Sequence, residues 1–334
     1  MSDNKDSISD FLKSREEEDF IKVNLEWLSL DRTYEFDLFA QIKGKFVLFC
    51  GRSLELKAGM VSKLKKKPLY VDKRDASHFQ SYMEDNIGRI LKDSSKPINE
   101  KSEAVFTVSS NLVQDLLNEP KAAGINKMKG MVDSQMEFVM NNEGAVDSLM
   151  SITEHDYYTY THSVNVAIYL VGLGKQMGLT QDEIQMLSLG GMLHDLGKAK
   201  ISLEIINSTG KLTDEQFDEM QKHPEFGVEL LKKIDKANKI PKECYFAILH
   251  HHEKFCGGGY PCGHEGKDIH LYGRMTKICD VFDALSTKRT YKEAMSSFDS
   301  LKLMKEKMMH EFDPDIFDEF LQLMANFSKK NVSS

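Results

Sequence analysis

The pair His194-Asp195 restricts this chain more than any other two residues. It closes an apolar run, Ile184 to Leu193, and so sets an imidazole nitrogen beside a carboxylate oxygen at a buried end. Thr180-Gln-Asp-Glu183, just ahead of the run, has the form of a capping box, so the run reads as a helix. Adjacent residues on a helix point about 100° apart. The pair can therefore serve two different cations, or bind one end-on while the carboxylate bridges to a second. Lys198 follows Asp195 by three residues, past Gly197, and places an ammonium beside any anion held there. A helix that merely ends in His-Asp is unremarkable by itself. The other histidines give the pair its weight.

His162, His194, Asp195, His223, His251, His252 and Asp280 all lie in the C-terminal half, each on or beside a helical stretch. Five imidazoles and two carboxylates are about what two cations sharing a carboxylate need, with room left for water. Mixed nitrogen and oxygen donors without thiolate suit iron, manganese or a similar metal better than a structural zinc. Asp280 and Asp283 fall three apart on one helix face, so Asp283 is placed to orient a histidine from behind. Against each residue stands a plainer role. A lone helical histidine is usually a packing residue, His250 is assigned no metal, and Asp283 has Arg289 as an alternative partner.

The chain of 334 residues reads in order as four parts. Residues 1–19 are charged and expected to be disordered. Residues 20–95 read as a small α+β regulatory or dimerising module. In it Phe36, Leu38, Ala40 and Ile42 alternate along a strand, Lys43-Gly44 is a turn, Lys45–Cys50 returns, Leu69–Val71 is another strand and a helix runs from Ala76 to Lys92. Residues 96–150 read as connecting helices whose methionines, Met128 to Met150, are packing residues. Residues 151–330 read as all helix. Thr213-Asp-Glu-Gln216 is a second capping box, the glycines of Phe255–Pro261 mark a loop, and Asp313-Pro314 opens the last helix.

Composition narrows the function classes. The net charge is −8 and neither half has a basic excess, which argues against a DNA- or RNA-polymer binder. No run approaches the ~18 apolar residues of a membrane span. The polar N-terminus lacks a signal peptide, so a cytoplasmic location is expected. Five cysteines with no Cys-x-x-Cys pair are expected to be reduced thiols, and the spacing of Cys256 and Cys262 is wrong for a zinc knuckle.

Residues 150 to 327 resemble the HD-GYP family, a branch of the HD phosphohydrolase superfamily. The motifs that carry the resemblance are Tyr158-Thr-Tyr-Thr-His162-Ser, His194-Asp-Leu-Gly-Lys198, His223-Pro-Glu-Phe-Gly227, His251-His-Glu253, Gly259-Tyr-Pro261, Asp280-Val-Phe-Asp-Ala-Leu285 and Arg289-Thr-Tyr-Lys292. The resemblance implies an α-helical HD-type bundle, preceded here by the small α+β domain, and hydrolysis of cyclic di-GMP. It assigns His162, His194, Asp195 and Asp280 to one metal and Asp195, His223, His251 and His252 to the other. Lys198, Arg289 and Lys292 match positions that contact substrate phosphates, and Tyr260 lies at the rim of the site. Some members hold a third metal through a glutamate four residues before the first histidine. Tyr158 stands there, so a two-metal site is expected. Members usually carry Asp or Asn where this chain has Cys256, which puts the geometry of the loop in question.

The implied chemistry is attack on phosphorus by a hydroxide bridging two divalent ions, iron or else manganese, about 3.5–4 Å apart. Asp195 and Lys198 are the catalytic candidates, with Lys198 and Arg289 on the non-bridging oxygens. The products would be pGpG and, after a second cleavage, GMP. Two other readings stay open: a phosphodiesterase for another cyclic dinucleotide such as cGAMP, and a cyclic di-GMP receptor without turnover. Protein partners docking through the Gly-Tyr-Pro loop, and a homodimer, would fit the same arrangement.

Overall fold

Two consecutive residues with positive φ, Lys43 at 50° and Gly44 at 78°, turn the chain back on itself and match the right-handed twist of the strands they join. They connect β2 (Leu38–Ile42) to β3 (Lys45–Cys50), as the sequence predicts. With β1 (Phe20–Val23) and β4 (Leu69–Asp72) they form an antiparallel sheet in the order β1-β4-β2-β3. The expected alternation in β2 does not give one buried face: Leu38, Phe39 and Ala40 are all buried, and Ile42 is 48% exposed. Leu38 pairs with Cys50 and Phe39 with Leu48, so the extra residue at the register shift, Phe49, belongs to β3. Phe20, Phe39, Phe46 and Tyr70 form an aromatic cluster, with Phe20 stacked on Phe46 at 4.0 Å. Helix α1 (Ala76–Lys92) carries Phe79, which meets Phe36 edge-on.

The structure is a computed structural model and describes residues 16–64, 67–153, 159–208, 210–236, 240–287 and 294–332. The disorder expected for residues 1–19 falls mostly outside these; Glu17–Asp19 form a short 3-10 turn. The chain divides into two compact units, Met1–Ala104 and Val105–Ser334. Among the described residues, no helix is long and apolar enough to cross a membrane.

The second unit is helical. It begins within α2 (Ile98–Asn118) and continues through α3 (Ala122–Asn141) and α4 (Ala145–Met150). Met128, Met131, Met136 and Met150 are buried as packing residues, whereas Met140 is 49% exposed. Helix α5 (Thr159–Gln176) is apolar on every side, from Val164 through Leu173, and is accordingly the central helix. Around it pack α6 (Gln181–Leu193), α10 (Leu271–Ser286) and α12 (Pro314–Val332). Tyr169, Phe282 and Phe320 meet edge-on where α5, α10 and α12 converge. Helices α7 (Asp214–Met220), α8 (His223–Ile234), α9 (Lys242–His250) and α11 (Ser297–Leu303) complete the unit.

Both predicted capping boxes are formed, at Thr180/Glu183 and Thr213/Gln216. Gly190 and Gly191 set how closely α6 approaches its neighbours. A β-carbon on Gly191 would stand 2.5 Å from Leu170 Cδ1 on α5, and one on Gly190 would stand 2.7 Å from the Ala247 β-carbon on α9. The last turn of α6 is thereby pressed between the helices that bear His162 and His251.

Candidate metal centre

Five elements deliver the seven candidate donors to one place. His162 comes from the first turns of α5, and His194 and Asp195 follow the last residue of α6. His223 opens α8, His251 and His252 follow α9, and Asp280 lies in α10. His162, His194, Asp195, His223 and His251 are each at most 1% exposed. Three of the histidines are held the same way: Nδ1–H of His194, His223 and His251 donates to the carbonyl three residues back, Gly191, Met220 and Ile248, each at 2.7 Å. The proton is thus on Nδ1, and the Nε2 lone pair faces inward.

Those lone pairs have nowhere else to go. His223 Nε2 and His251 Nε2 stand 3.1 Å apart, two acceptors facing one another. His194 Nε2 is buried without a hydrogen-bond partner. Such an arrangement is costly unless a cation fills it. One donor atom from each of His162, His194 and Asp280 lies within 4.8 Å of the others, and so does one from each of His223, His251 and His252. Asp195 stands between the groups. Its Oδ1 is 3.4 Å from His223 Nε2, and its Oδ2 is 3.4 Å from His194 Nε2 and 3.9 Å from His162 Nε2. The residues present fit a pair of cations.

Protonation agrees with that fit. Burial works against ionisation of Asp195, but Lys198 and the facing histidines outweigh it and hold the carboxyl well below its usual range. Asp280 is likewise held low against burial, by its hydrogen bond to His162. Burial, with the neighbouring rings, pushes His251 and His252 well down, and burial pushes His223 down to about 4. His162 goes the other way. Burial opposes its charge, yet hydrogen bonds to Asp280 and Asp283 raise it to about 9. In the metal-free protein its proton sits on Nε2, 3.0 Å from Asp280 Oδ1, and cation binding must release it.

These shifts have opposite consequences for stability. Histidines that stay neutral in the fold to about 4, such as His223 and His250, bind fewer protons than the unfolded chain between that pH and about 6.5. Metal-free protein should therefore lose stability as pH falls through this window. The His162 contribution is complete below about 6.5 and is lost as pH rises through about 9. Urea midpoints of chelator-treated protein, measured from pH 4 to 9, should peak near neutrality. A midpoint that keeps rising toward pH 4 would contradict the assignment of neutral rings.

Behind His162 stands a layer that the sequence discloses only in part. Nδ1–H of His162 donates to Asp283 Oδ2 at 2.7 Å, the orienting contact expected from the spacing. Asp283 Oδ1 in turn accepts from Asn165 Nδ2 at 2.9 Å and Thr287 Oγ1 at 3.1 Å. Asn165 is the member of this layer that sequence reasoning missed, although a single amide in the apolar run after His162 was the available signal. Asp283→Asn should weaken metal affinity about 10- to 100-fold, read by competition with a chromogenic chelator. Unchanged affinity would remove Asp283 from the site.

Lys198 Nζ is 2.6 Å from Asp195 Oδ2. The Tyr260 ring stacks on His252 with centroids 4.7 Å apart. The loop that carries it is held by Glu253, whose Oε1 accepts from Cys262 N at 2.6 Å and Gly263 N at 3.1 Å, and by Phe255 N donating to Glu311 O at 2.9 Å. Cys256 is exposed, so the loop's anchors lie elsewhere than at this position. His250 Nδ1 accepts from His270 N–H, which leaves the ring's proton on Nε2. It has no lone pair for a cation, although Cys262 and His264 lie close by. Tyr158, Arg289 and Lys292 lie outside the described residues.

Comparison with known proteins accords with this architecture. The HD domain family profile matches residues 146–316. The chain is 34% identical over 195 residues to the cyclic di-GMP phosphodiesterase PA4108 of Pseudomonas aeruginosa, covering 58% of this chain and 46% of that protein. It is 35% identical over 211 residues to the 3'3'-cGAMP-specific phosphodiesterase 2 of Vibrio cholerae, covering 60% and 38%. The chain thus spans less than half the length of these relatives. Bd1817, an HDG"Y"P protein from Bdellovibrio bacteriovorus, shares the fold with a TM-score of 0.65 at 20% identity, over 92% of this chain and 100% of its own. With its paired His-Asp and its five converging histidines, the chain belongs to the HD domain family.

Proposed function

We propose that this protein is a metal-dependent phosphodiesterase that hydrolyses cyclic di-GMP, with pGpG as its first product. The observation that carries the reading is the set of inward Nε2 lone pairs on His194, His223 and His251, gathered around an ionised, buried Asp195. His162, His194 and Asp280 would hold one divalent ion on the Oδ2 side of Asp195. His223, His251 and His252 would hold the other on the Oδ1 side. Iron suits this donor set, and manganese is the substitute to try first. When bound, such a pair supplies Lewis acidity and a nucleophile from water at neutral pH.

The chain's own groups do the rest. Asp195 keeps its negative charge between the two donor groups because Lys198 and three histidines face it. Asp195, which now pairs with Lys198 at 2.6 Å, would be engaged as a ligand when the site is loaded. The freed ammonium would then be available to a non-bridging phosphate oxygen. Tyr260, stacked on His252, offers an aromatic face at the mouth for a purine base. Arg289 and Lys292 are proposed as further phosphate contacts on the strength of their motif alone.

A second substrate has a specific observation behind it: the cGAMP-specific relative is as similar to this chain as the cyclic di-GMP one. The test is anaerobic. The full chain loaded with Fe(II) or Mn(II) is incubated separately with cyclic di-GMP and 3'3'-cGAMP, and products are resolved by chromatography. Release of pGpG from the former is the expected result. Cleavage of cGAMP alone would reassign the substrate. Metal-replete protein that binds cyclic di-GMP without cleaving it would make the protein a receptor.

A further inference from the structure

Lys277 lies on α10 one helical turn before Asp280, so the two side chains leave the same side of the helix. It is a buried lysine, 7% exposed. Its ammonium is 3.3 Å from Glu311 Oε2, but that carboxylate is shared, because Glu311 Oε1 is 3.0 Å from Lys254 Nζ. Lys254 follows His252 by two residues on the loop that carries Tyr260. Two ammoniums and one carboxylate leave one positive charge in excess, set between the helix of Asp280 and the loop of His252.

The neighbouring cluster shows the difference between a structural ion pair and this one. Arg274, a turn earlier on α10, meets the fully buried Asp313 and also donates to Ile269 O at 2.9 Å. Lys267, the second cation on Asp313, is 66% exposed and has water for company. Among the described residues Lys277 has neither resource. A buried ammonium with half a counter-ion bears a desolvation cost that one shared carboxylate does not offset, and an added anion would complete it.

We propose that Lys277 is a substrate contact that holds the phosphate of the cyclic dinucleotide not being cleaved, with Glu311 as its counter-ion in the absence of substrate. The proposal rests on the phosphodiesterase reading, which puts the scissile phosphate at Asp195 and Lys198. A cyclic dinucleotide carries its two phosphates on opposite sides of one ring, so the second needs a cation elsewhere on the rim. Lys277 supplies it from the side of His252 and Asp280.

The test uses the metal-loaded full chain and two substrates, cyclic di-GMP and bis(p-nitrophenyl) phosphate, which has a single phosphate. Lys277→Met should raise KM for cyclic di-GMP about tenfold, the loss of one charge-assisted contact. The change in kcat/KM for the nitrophenyl diester should be several-fold smaller. Lys277→Arg should recover most of the affinity. Glu311→Gln should move KM for cyclic di-GMP in the opposite direction, downward, because it removes the competitor. Equal losses on both substrates, or Glu311→Gln and Lys277→Met shifting KM in the same direction, would make the pair a loop clamp and overturn the proposal. Direct calorimetric binding of cyclic di-GMP separates the two readings. A tenfold loss of affinity in Lys277→Met with no cleavage of either diester by the wild type would uphold Lys277 and reject the phosphodiesterase. Cleavage by the wild type with unchanged binding in Lys277→Met would do the reverse.

Discussion

Asp195→Ala is expected to lower turnover of cyclic di-GMP more than about a thousandfold and to strip bound metal at the same time. Loss of a residue that only supports a ligand typically costs about 10- to 100-fold. Asp195 should cost more, because its two oxygens face different histidine groups, His223 on one side and His162 and His194 on the other. On the two-cation reading proposed above, its removal would take one donor from each cation and also the negative charge that would offset two divalent ions in a buried space. The check is metal content by elemental analysis alongside product chromatography. Asp195→Asn, which keeps the shape without the charge, should behave nearly as badly. A variant that retained both metals, or turnover within about tenfold of wild type, would show that Asp195 does not lie between them.

Gly197→Ala should be the most damaging change outside the donors. A β-carbon at this position would stand 1.8 Å from His223 O and 2.5 Å from Gly227 N. Both are backbone atoms at the start of α8, so neither can swing aside as a long side chain would. Overpacking of this kind costs about 1–3 kcal/mol and sometimes more, and the expected loss here is at the upper end, about 3 kcal/mol. Relief would push α8 outward and carry His223 away from Asp195, so metal content should fall with stability. Urea unfolding with metal analysis measures both. Gly88→Ala is the control, since a β-carbon there meets nothing within 4 Å. In the interior of α1 it should be neutral or stabilise by up to about 1 kcal/mol. If Gly197→Ala unfolded within about 1 kcal/mol of wild type, the His194-Asp195 turn would not be packed tightly against α8.

Much of the local structure was legible in the residues themselves. Thr180/Glu183 and Thr213/Gln216 cap the helices they were expected to cap, and Lys43-Gly44 turns where predicted. Helix α1 spans Ala76–Lys92 as expected. These are interactions over two to four residues, and spacing specifies them directly. The burial of β2 was not legible, because Phe39 is covered by Phe20, Phe46 and Tyr70 from the other strands, which the alternation of β2 does not contain.

The sequence by itself determined which candidate donors the chain owns and that each lies on a helix or beside a helix end. It also placed Asp283 a turn from Asp280, on the same helix. Tertiary structure alone decided that His162 Nδ1 would meet Asp283, 121 positions away, and that Asn165 and Thr287 would hold that carboxylate. It alone set Asp195 between two histidine groups, closed Gly197 onto α8, and left Lys254 and Lys277 to share Glu311. The reason is physical. A side chain's direction follows from backbone periodicity, but its partner across the bundle follows from which helices pack together and how closely. That depends on the whole core, on residues as remote from the chemistry as Gly191 against Leu170.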